Sequence, residues 1–213
     1  MSTEHIAQII EFWLGESQTS PEAAAGRRDL WYRGGTPVDI EIGQRFGNLV
    51  AEACNGSFSE WRASPEGCLA SILLLDQFTR NLYRNTADAY LGDAVAFEVT
   101  VTAIEKGLDR MLHPVSRIWL YHPFHHSEQV AHQDRGIGLL HGTICDAPLE
   151  WHPYIKKSIS GWTRHRDIVA RFGRFPHRNE VLGRVSTEEE LEFLSSSGES
   201  FGQGPVRVGD RKV

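Results

Sequence analysis

Apolar residues recur at three- and four-residue intervals along almost the whole chain, and this periodicity limits the fold more than any other feature. No apolar–polar alternation long enough for a convincing strand appears. The first segment shows the helical pattern on one face, formed by Ile6, Ile9, Ile10, Trp13 and Leu14. We therefore predict an all-α single domain of about eight or nine helices packed as antiparallel pairs.

Local signals divide this periodic sequence into helices. Ser20 and Ser64 each precede a proline and then a glutamate, a pattern typical of a capped helix start. The helix that follows Ser64 is predicted to reach about Tyr83. Residues 34–37 contain two glycines and a proline, and they predict a loop.

Later boundaries follow the same logic. Residues 114–132 are predicted as one helix, with a kink or a new start at Pro123. Ser186 and Glu189 match a capping box, so they predict the start of a last short helix.

Composition and charge exclude several classes of partner. The 213 residues include 22 Lys+Arg and 28 Asp+Glu, a formal net charge of −6. A nucleic-acid or anionic-membrane binder usually has a basic surface, so we expect neither partner. The three widely spaced cysteines and the lack of a secretory signal or long apolar run predict a cytoplasmic protein. We expect one helical domain over residues 1–195 and a loose tail over 196–213.

The first unusual segment carries five hydrogen-bonding side chains directly after an apolar run: Asp76, Gln77, Arg80, Asn81 and Arg84. Asp76, Arg80 and Arg84 are four residues apart, so they share one stripe of a helix. They are either ion pairs on a solvated face, or a partly buried polar ladder that faces a cavity.

The second segment is rich in histidine. His125, Glu128 and His132 are spaced three and four apart and can share a helix face, which makes them a candidate divalent-metal set. The spacing is not the HExxH pattern of zinc peptidases. Alternatively, the kink at Pro123 brings His126 and Glu128 into one pocket as an acid–base pair.

The third segment has five arginines and two histidines within residues 164–179. Gly173 and Pro176 break the helix there, so we expect residues 174–179 to turn sharply. A turn rich in arginine beside helix ends suits a carboxylate or a phosphate. Alternatively, these arginines pair with the protein's own acids and hold helices together.

These segments resemble a bacterial family known as domain of unknown function 924. The resemblance runs from about residue 5 to residue 201. It is most specific in the DQF-x-RN string at residues 76–81 and the FGR-x-PHRN string at residues 172–179. It implies a tetratricopeptide-like helical fold and no established activity. The family's motif positions fall on Asp76, Gln77, Arg80, Asn81, Arg84, His126, Ser127, Glu128, Arg174, Pro176, His177, Arg178 and Asn179. His125 falls on a position that varies in the family, which weakens the metal hypothesis.

Our first functional hypothesis is a compact pocket for a small anionic or carboxylate-bearing molecule. If chemistry occurs there, the predicted catalytic residues are His126, Glu128 and Asp76. The predicted ligand-binding residues are Gln77, Arg80, Asn81, Arg84, Ser127, Arg174, His177, Arg178 and Asn179. We predict no cofactor, and the alternative is a divalent metal on His125, Glu128 and His132.

Two other hypotheses belong to different classes. A tetratricopeptide-like module would bind a peptide or protein in a concave groove without catalysis. A purely structural network would use the same charged residues as buried ion pairs that fix helix register. The sequence is also compatible with an oligomer.

Overall fold

The computed structural model describes residues 2–197, which form helices, turns and short connections without a β-strand. This confirms the predicted all-α class. The α-helices are α1 (Ser2–Leu14), α2 (Pro21–Gly26), α3 (Arg28–Arg33), α4 (Gly35–Cys54), α5 (Pro65–Ile72), α6 (Thr79–Leu82), α7 (Asp93–Glu105), α8 (Pro114–Leu120), α9 (His122–His126), α10 (Val130–Asp146), α11 (His152–Phe172) and α12 (Glu188–Ser197). The predicted tail beyond residue 197 lies outside the described residues.

The two serine–proline signals start helices as predicted. Ser20 Oγ accepts a hydrogen bond from the Ala23 N–H at 3.1 Å, and Ser64 Oγ accepts one from the Gly67 N–H at 3.1 Å. Each bond satisfies a backbone donor that has no partner within the helix. Helices α2 and α5 therefore begin where the sequence places them.

The core is built around α5 and a group of aromatic rings. Helix α5 contacts α1, α7 and α8, and every residue of it except Glu66 is buried. The fully buried ring of Trp13 lies 5.5 Å from Phe78 and 5.3 Å from Trp119, measured between ring centroids. The Trp31 indole N–H donates to the Trp13 carbonyl at 2.8 Å, which fastens α3 to α1.

The helix predicted to end near Tyr83 is not uniform. Residues Leu73–Phe78 between α5 and α6 form a π-helical turn, in which each N–H reaches one residue further back than in an α-helix. All of its side chains except that of Gln77 are buried. Such turns are rare and occur often at functional sites, and this one carries Asp76.

The predicted loop at residues 34–37 was wrong. Helix α4 already begins at Gly35, which has a φ of +53°. Pro37 fits there because a proline in the first helical turn removes no backbone hydrogen bond that the helix needs.

The helix predicted over residues 114–132 is divided into three. Helix α8 ends at Leu120 and α9 at His126, and Ser127 then adopts an extended conformation before α10 begins at Val130. Ser127 Oγ accepts a hydrogen bond from the Gln129 N–H at 3.2 Å, which holds this second break. The sequence analysis did not predict α10, which packs along α11.

The final capping box lies one residue later than predicted. Thr187 Oγ1 accepts from the Glu190 N–H at 3.2 Å, and the Glu190 carboxylate accepts from the Thr187 N–H at 2.8 Å. Ser186 instead accepts a hydrogen bond from Asn179. The register shifts because Glu190, unlike Glu189, has buried partners to bind.

In the described part of the chain, no helix is both long enough and apolar enough to cross a lipid bilayer.

Gly92 provides a test of the packing around the π turn. A Cβ at this position would lie 2.1 Å from the Leu75 carbonyl oxygen, a backbone atom that cannot move aside easily. We expect Gly92→Ala to destabilise the protein by about 1–3 kcal/mol through overpacking. Gly138→Ala on α10 is the control, because its Cβ would meet open space, and it should stabilise the helix by about 0.5–1 kcal/mol. Denaturant unfolding of both variants measures the difference, and equal effects would contradict this packing.

Candidate functional site

A cavity of about 870 Å³ opens between helices that are far apart in the sequence. Its walls come from α3, the start of α4, the π turn with α6, α9, α11 and the turn at residues 175–178. Of the residues predicted to form a site, the cavity is lined by Gln77, Arg80, Asn81, Arg84, His126, His177 and Arg178. The three unusual sequence segments therefore do meet at one place, though only with part of their side chains.

Asp76 lies behind the cavity wall and is completely buried. Its carboxylate accepts hydrogen bonds from His126 Nδ1 at 2.8 and 2.9 Å and from Gln77 Nε2 at 2.5 Å. Arg80 lies 3.2 Å from the same carboxylate. A buried charge requires such partners, since burial without them is strongly unfavourable.

The contact with Asp76 decides the state of the His126 ring. A carboxylate accepts hydrogen bonds and does not donate them, so Nδ1 carries the proton and Nε2 of the neutral ring carries a lone pair. Nε2 has no hydrogen-bond partner among residues 2–197, and His126 lines the cavity. Burial, followed by the nearby Arg80 guanidinium, holds the pKa of His126 well below its usual range. The ring is therefore neutral at pH 7.

Four more histidines surround His126, and we call all five the histidine cluster: His122, His125, His126, His165 and His177. The His125 and His165 rings lie 4.0 Å apart, and those of His122 and His126 lie 5.5 Å apart. Burial lowers the pKa of His122 and of His165 to about 4. Burial also holds the pKa of His125 and of His177 well below the usual range. The cluster is thus uncharged at neutral pH.

Arg178 is the exceptional cation of the cavity. Its residue is 7% exposed, and its guanidinium makes no hydrogen bond or ion pair with any residue between 2 and 197. It lies over the rings of Phe175 at 4.4 Å and Tyr90 at 4.8 Å. Burial, followed by the charge of Arg80, lowers the pKa of Arg178. The cavity wall therefore contains a positively charged guanidinium that is not paired with a carboxylate of the described residues.

The other two arginines from the DQF-x-RN segment are paired. Arg80 holds both carboxylate oxygens of Asp93, at 2.8 and 2.9 Å. Arg84 binds both oxygens of Asp39 at 2.9 Å, and Asn81 donates to the same carboxylate at 2.7 Å. These residues form a partly buried polar ladder, as one of the two sequence hypotheses proposed, and Asp39 and Asp93 come from the helices α4 and α7.

Further basic residues also line the cavity. Arg28 and Arg33 come from α3 and Lys157 from α11. Arg33 is paired with Asp29 at 3.5 Å. Asp39 is the one carboxylate among the described lining residues. The cavity is thus basic inside a protein with a net charge of −6.

Glu128 does not form the predicted acid–base pair with His126. Arg184 binds both of its carboxylate oxygens, at 2.6 and 3.0 Å, and the Phe175 N–H donates to it at 2.8 Å. Burial alone would raise the pKa of Glu128, but these hydrogen bonds lower it overall. Glu128 is not among the residues that line the cavity. Asp76 is the carboxylate that binds His126.

Arg174 and Asn179 also lie outside the cavity lining. Arg174 binds both oxygens of Glu190, at 2.6 and 2.8 Å, and Asn179 donates to the same carboxylate at 3.2 Å. The hydrogen bond from Arg174 is the main cause that lowers the pKa of Glu190 to about 2. This group fastens α12 to the turn, which is the structural role that the sequence analysis left open.

The candidate metal set is not assembled. The break after α9 separates its members. His125 stacks on Trp162 at 4.7 Å, whereas His132 packs against Phe97 at 4.4 Å and is hydrogen-bonded to Ser127 Oγ at 2.9 Å. In residues 2–197, no three His, Cys, Asp or Glu side chains are placed to hold a metal ion. Ser127 bonds to His132 and Gln129 and does not line the cavity.

Sequence reasoning missed several lining residues, among them Tyr90, His122, Trp162, His165 and Asp39. Nine of the ten histidines fall between residues 113 and 177, which was a signal for the histidine cluster. Tyr90 and Asp39 had no comparable signal, because each lies in a segment without other unusual residues.

Comparisons with known proteins agree with this description. Residues 9–198 match a family model described as bacterial protein of unknown function (DUF924). The chain belongs to this family. A solved structure of a protein of unknown function from Agrobacterium tumefaciens is 32% identical, with a TM-score of 0.75, and the match covers 91% of this chain and 98% of that one. No curated protein matches. The family thus has a shared fold, and neither match names an activity.

Loss of Arg174 should weaken the fold and leave the cavity intact. Arg174→Ala removes two hydrogen bonds to the Glu190 carboxylate, and we expect a lower free energy of unfolding. Denaturant titration measures this loss, with Arg171→Ala as the control, because Arg171 pairs with Glu189 on an exposed surface. Equal stability of the two variants would contradict a structural role for Arg174.

The histidine cluster should make the fold sensitive to acid. The pKa of His122 falls from 6.5 to about 4 on folding, so the unfolded chain binds more protons between these values. Stability is then lost as the pH falls from 6.5 towards 4, by about 3 kcal/mol for His122. His122→Phe keeps a ring against Trp119 and should remove the part of this dependence that comes from His122. Urea unfolding at several pH values checks it, and His141→Phe, on an exposed site, should leave the slope unchanged.

Proposed function

We propose that the cavity binds a small anionic molecule and that Arg178 is the residue that anchors it. The observation that carries this proposal is the buried Arg178 guanidinium, which has no carboxylate as a hydrogen-bond partner among the described residues. Burial of an unpaired charge is strongly unfavourable. A carboxylate or phosphate can accept two parallel hydrogen bonds from a guanidinium, so such a ligand would remove the penalty.

Tyr90 supports the same location for the anion. Its hydroxyl is buried without a hydrogen-bond partner in the described structure, and its ring lies beneath the Arg178 guanidinium. Burial is the main cause that raises the pKa of Tyr90. The hydroxyl therefore keeps its proton and can donate a hydrogen bond to an anion. One anionic group could therefore satisfy both residues.

The remaining walls favour a ligand that also has an apolar part. Trp31, Tyr32 and Trp162 line the cavity together with Leu30 and Ile118. A cavity of about 870 Å³ lies in the usual range for small-molecule sites, about 300–1,000 Å³. Arg28 and Lys157 in the lining would favour a second negative group on the same molecule.

This proposal needs neither a nucleic acid nor a membrane as partner, and it needs no cofactor. The described lining of the cavity has six of the 22 lysines and arginines and one carboxylate, although the chain as a whole has a net charge of −6. That distribution favours a small anion over a polyanionic surface. A cytoplasmic location and an oligomer stay predictions from the sequence.

The second candidate function is a tetratricopeptide-like module that binds a peptide. Such modules use residues spread along a groove of several helices. Here Arg178 and the unpartnered Tyr90 hydroxyl lie next to each other in one cavity, which favours a small molecule. A peptide ligand would be indicated if acidic peptides stabilised the protein and small anions did not.

Arg178→Met tests the anion site. We expect phosphate, succinate or citrate to raise the melting temperature of the unaltered protein, since a ligand at 100 times its Kd adds about 2.7 kcal/mol. Loss of a charged hydrogen bond, about 1.5–3 kcal/mol, should lower the affinity of the variant for this anion about 10- to 100-fold. The unliganded variant should be as stable as the unaltered protein or more so, because no ion pair is broken.

The matched control is Arg171→Met. Arg171 is an exposed arginine on α11 that pairs with Glu189, so its removal should not change the response to anions. Equal anion affinity in the two variants, or no response to any of the three anions, would contradict the proposal.

A further inference from the structure

We propose that His126 is a general base, oriented by Asp76, that removes a proton from the anion held at Arg178. The inference rests on the proposed anion site and adds the chemistry to it. The substrate class is a small anion that carries an acidic C–H or O–H group close to its charged group. Asp76 is a positioning residue in this scheme, because it contacts His126 and does not line the cavity.

The geometry places one lone pair in the cavity. Both Asp76 oxygens lie within 2.9 Å of His126 Nδ1, so the ring has one tautomer and one orientation. Asp76 is itself held by Gln77 and by Arg80, which is fixed by Asp93. Nε2 is left without a partner in the described structure. A histidine with one nitrogen bound to a carboxylate and the other bare has the arrangement that a general base requires.

The charges around the ring make its basicity depend on the ligand. The groups that oppose protonation of the His126 ring are the guanidinium groups of Arg80 and Arg178 and the rings of His122 and His165. The Asp76 carboxylate on Nδ1 carries the opposite charge. A bound anion would offset the arginine charges and raise the pKa of His126 towards neutral pH. The ring is therefore unprotonated and able to accept a proton at neutral pH, with or without a bound anion.

The surroundings favour proton transfer over nucleophilic catalysis. No hydroxyl, thiol or amine of residues 2–197 is hydrogen-bonded to His126 Nε2, so the ring has no side-chain nucleophile to activate. Ser127, the nearest hydroxyl in sequence, is bonded to His132 instead. The dyad can thus act on the ligand itself.

The step balances without a further reactant. The Nε2 lone pair forms a new N–H bond, and the electron pair of the broken bond stays on the substrate as an oxyanion or enolate. The Arg178 guanidinium and the Tyr90 hydroxyl can donate hydrogen bonds to that charge. The proton then returns from His126 to a neighbouring atom of the substrate, or to water after a leaving group has departed. The reaction class is isomerisation or elimination.

A base of this kind can be tested without the natural substrate. In 5-nitrobenzisoxazole, removal of the ring C–H proton breaks the N–O bond and produces a coloured nitrile-bearing phenolate, with no other reactant. We expect the full-length protein to accelerate this elimination about 100-fold or more over free imidazole at equal concentration. His126→Gln should return the rate to background. His132→Gln, a histidine outside the cavity, should keep the full rate.

The role of Asp76 has its own readout. Asp76→Asn should lower kcat and shift the midpoint of the pH–rate profile, whereas a merely structural residue would change the amount of folded protein and leave the midpoint unchanged. If Asp76→Asn does not fold, ¹⁵N NMR of the unaltered protein decides. A proton on Nδ1 and a bare Nε2 at His126 support the proposal, and a proton on Nε2 overturns it.

The remaining outcomes separate this inference from the proposed anion site. No elimination above background, or elimination that survives His126→Gln, overturns the general base. If phosphate still binds through Arg178 in that case, the anion site stands alone. Inorganic phosphate should inhibit the elimination in the unaltered protein and inhibit Arg178→Met at least 10-fold less. If phosphate does not inhibit the elimination, the result would support His126 as the general base and contradict Arg178 as the residue that anchors the anion.

Discussion

The buried carboxylate of Asp76 is the group on which the arrangement of the cavity depends. A charge with no exposed surface must be neutralised within the protein, and its partners come from different elements. Gln77 and Arg80 belong to its own helical run, and His126 belongs to α9. Arg80 in turn binds Asp93 at the start of α7. One desolvated charge thereby fixes three helices, and it also fixes which nitrogen of His126 faces the cavity.

The turn at residues 174–179 serves two purposes through neighbouring side chains. Arg174 and Asn179 bind Glu190 and fasten α12, while Arg178 lines the cavity. The backbone of the same turn is held by Glu128, which accepts the Phe175 N–H. The structural and the ligand-binding readings of this arginine-rich segment are therefore not exclusive. The ion pairs on one side of the turn hold the unpaired guanidinium on the other.

Local signals predicted the fold class and many helix starts, because a cap or a proline acts within one turn of chain. The starts at Pro21 and Pro65 are of this kind. Errors arose where a distant contact overrides the local pattern. The capping box is formed by Thr187 and not by Ser186, because the Glu190 carboxylate binds Arg174. The π turn lies in an apolar run that looks like ordinary helix in the sequence.

The sequence alone determined the all-α class, the family and the three segments whose polar residues stand out. It could not determine which of those residues face a common space. Arg174 and Arg178 are four residues apart and of the same chemical type, yet one has a carboxylate partner and the other has none among the described residues. Likewise, His126 is bound by an acid 50 positions earlier and not by the one two positions later. Pairing of buried charges depends on distances between helices, and only the tertiary structure supplies those distances.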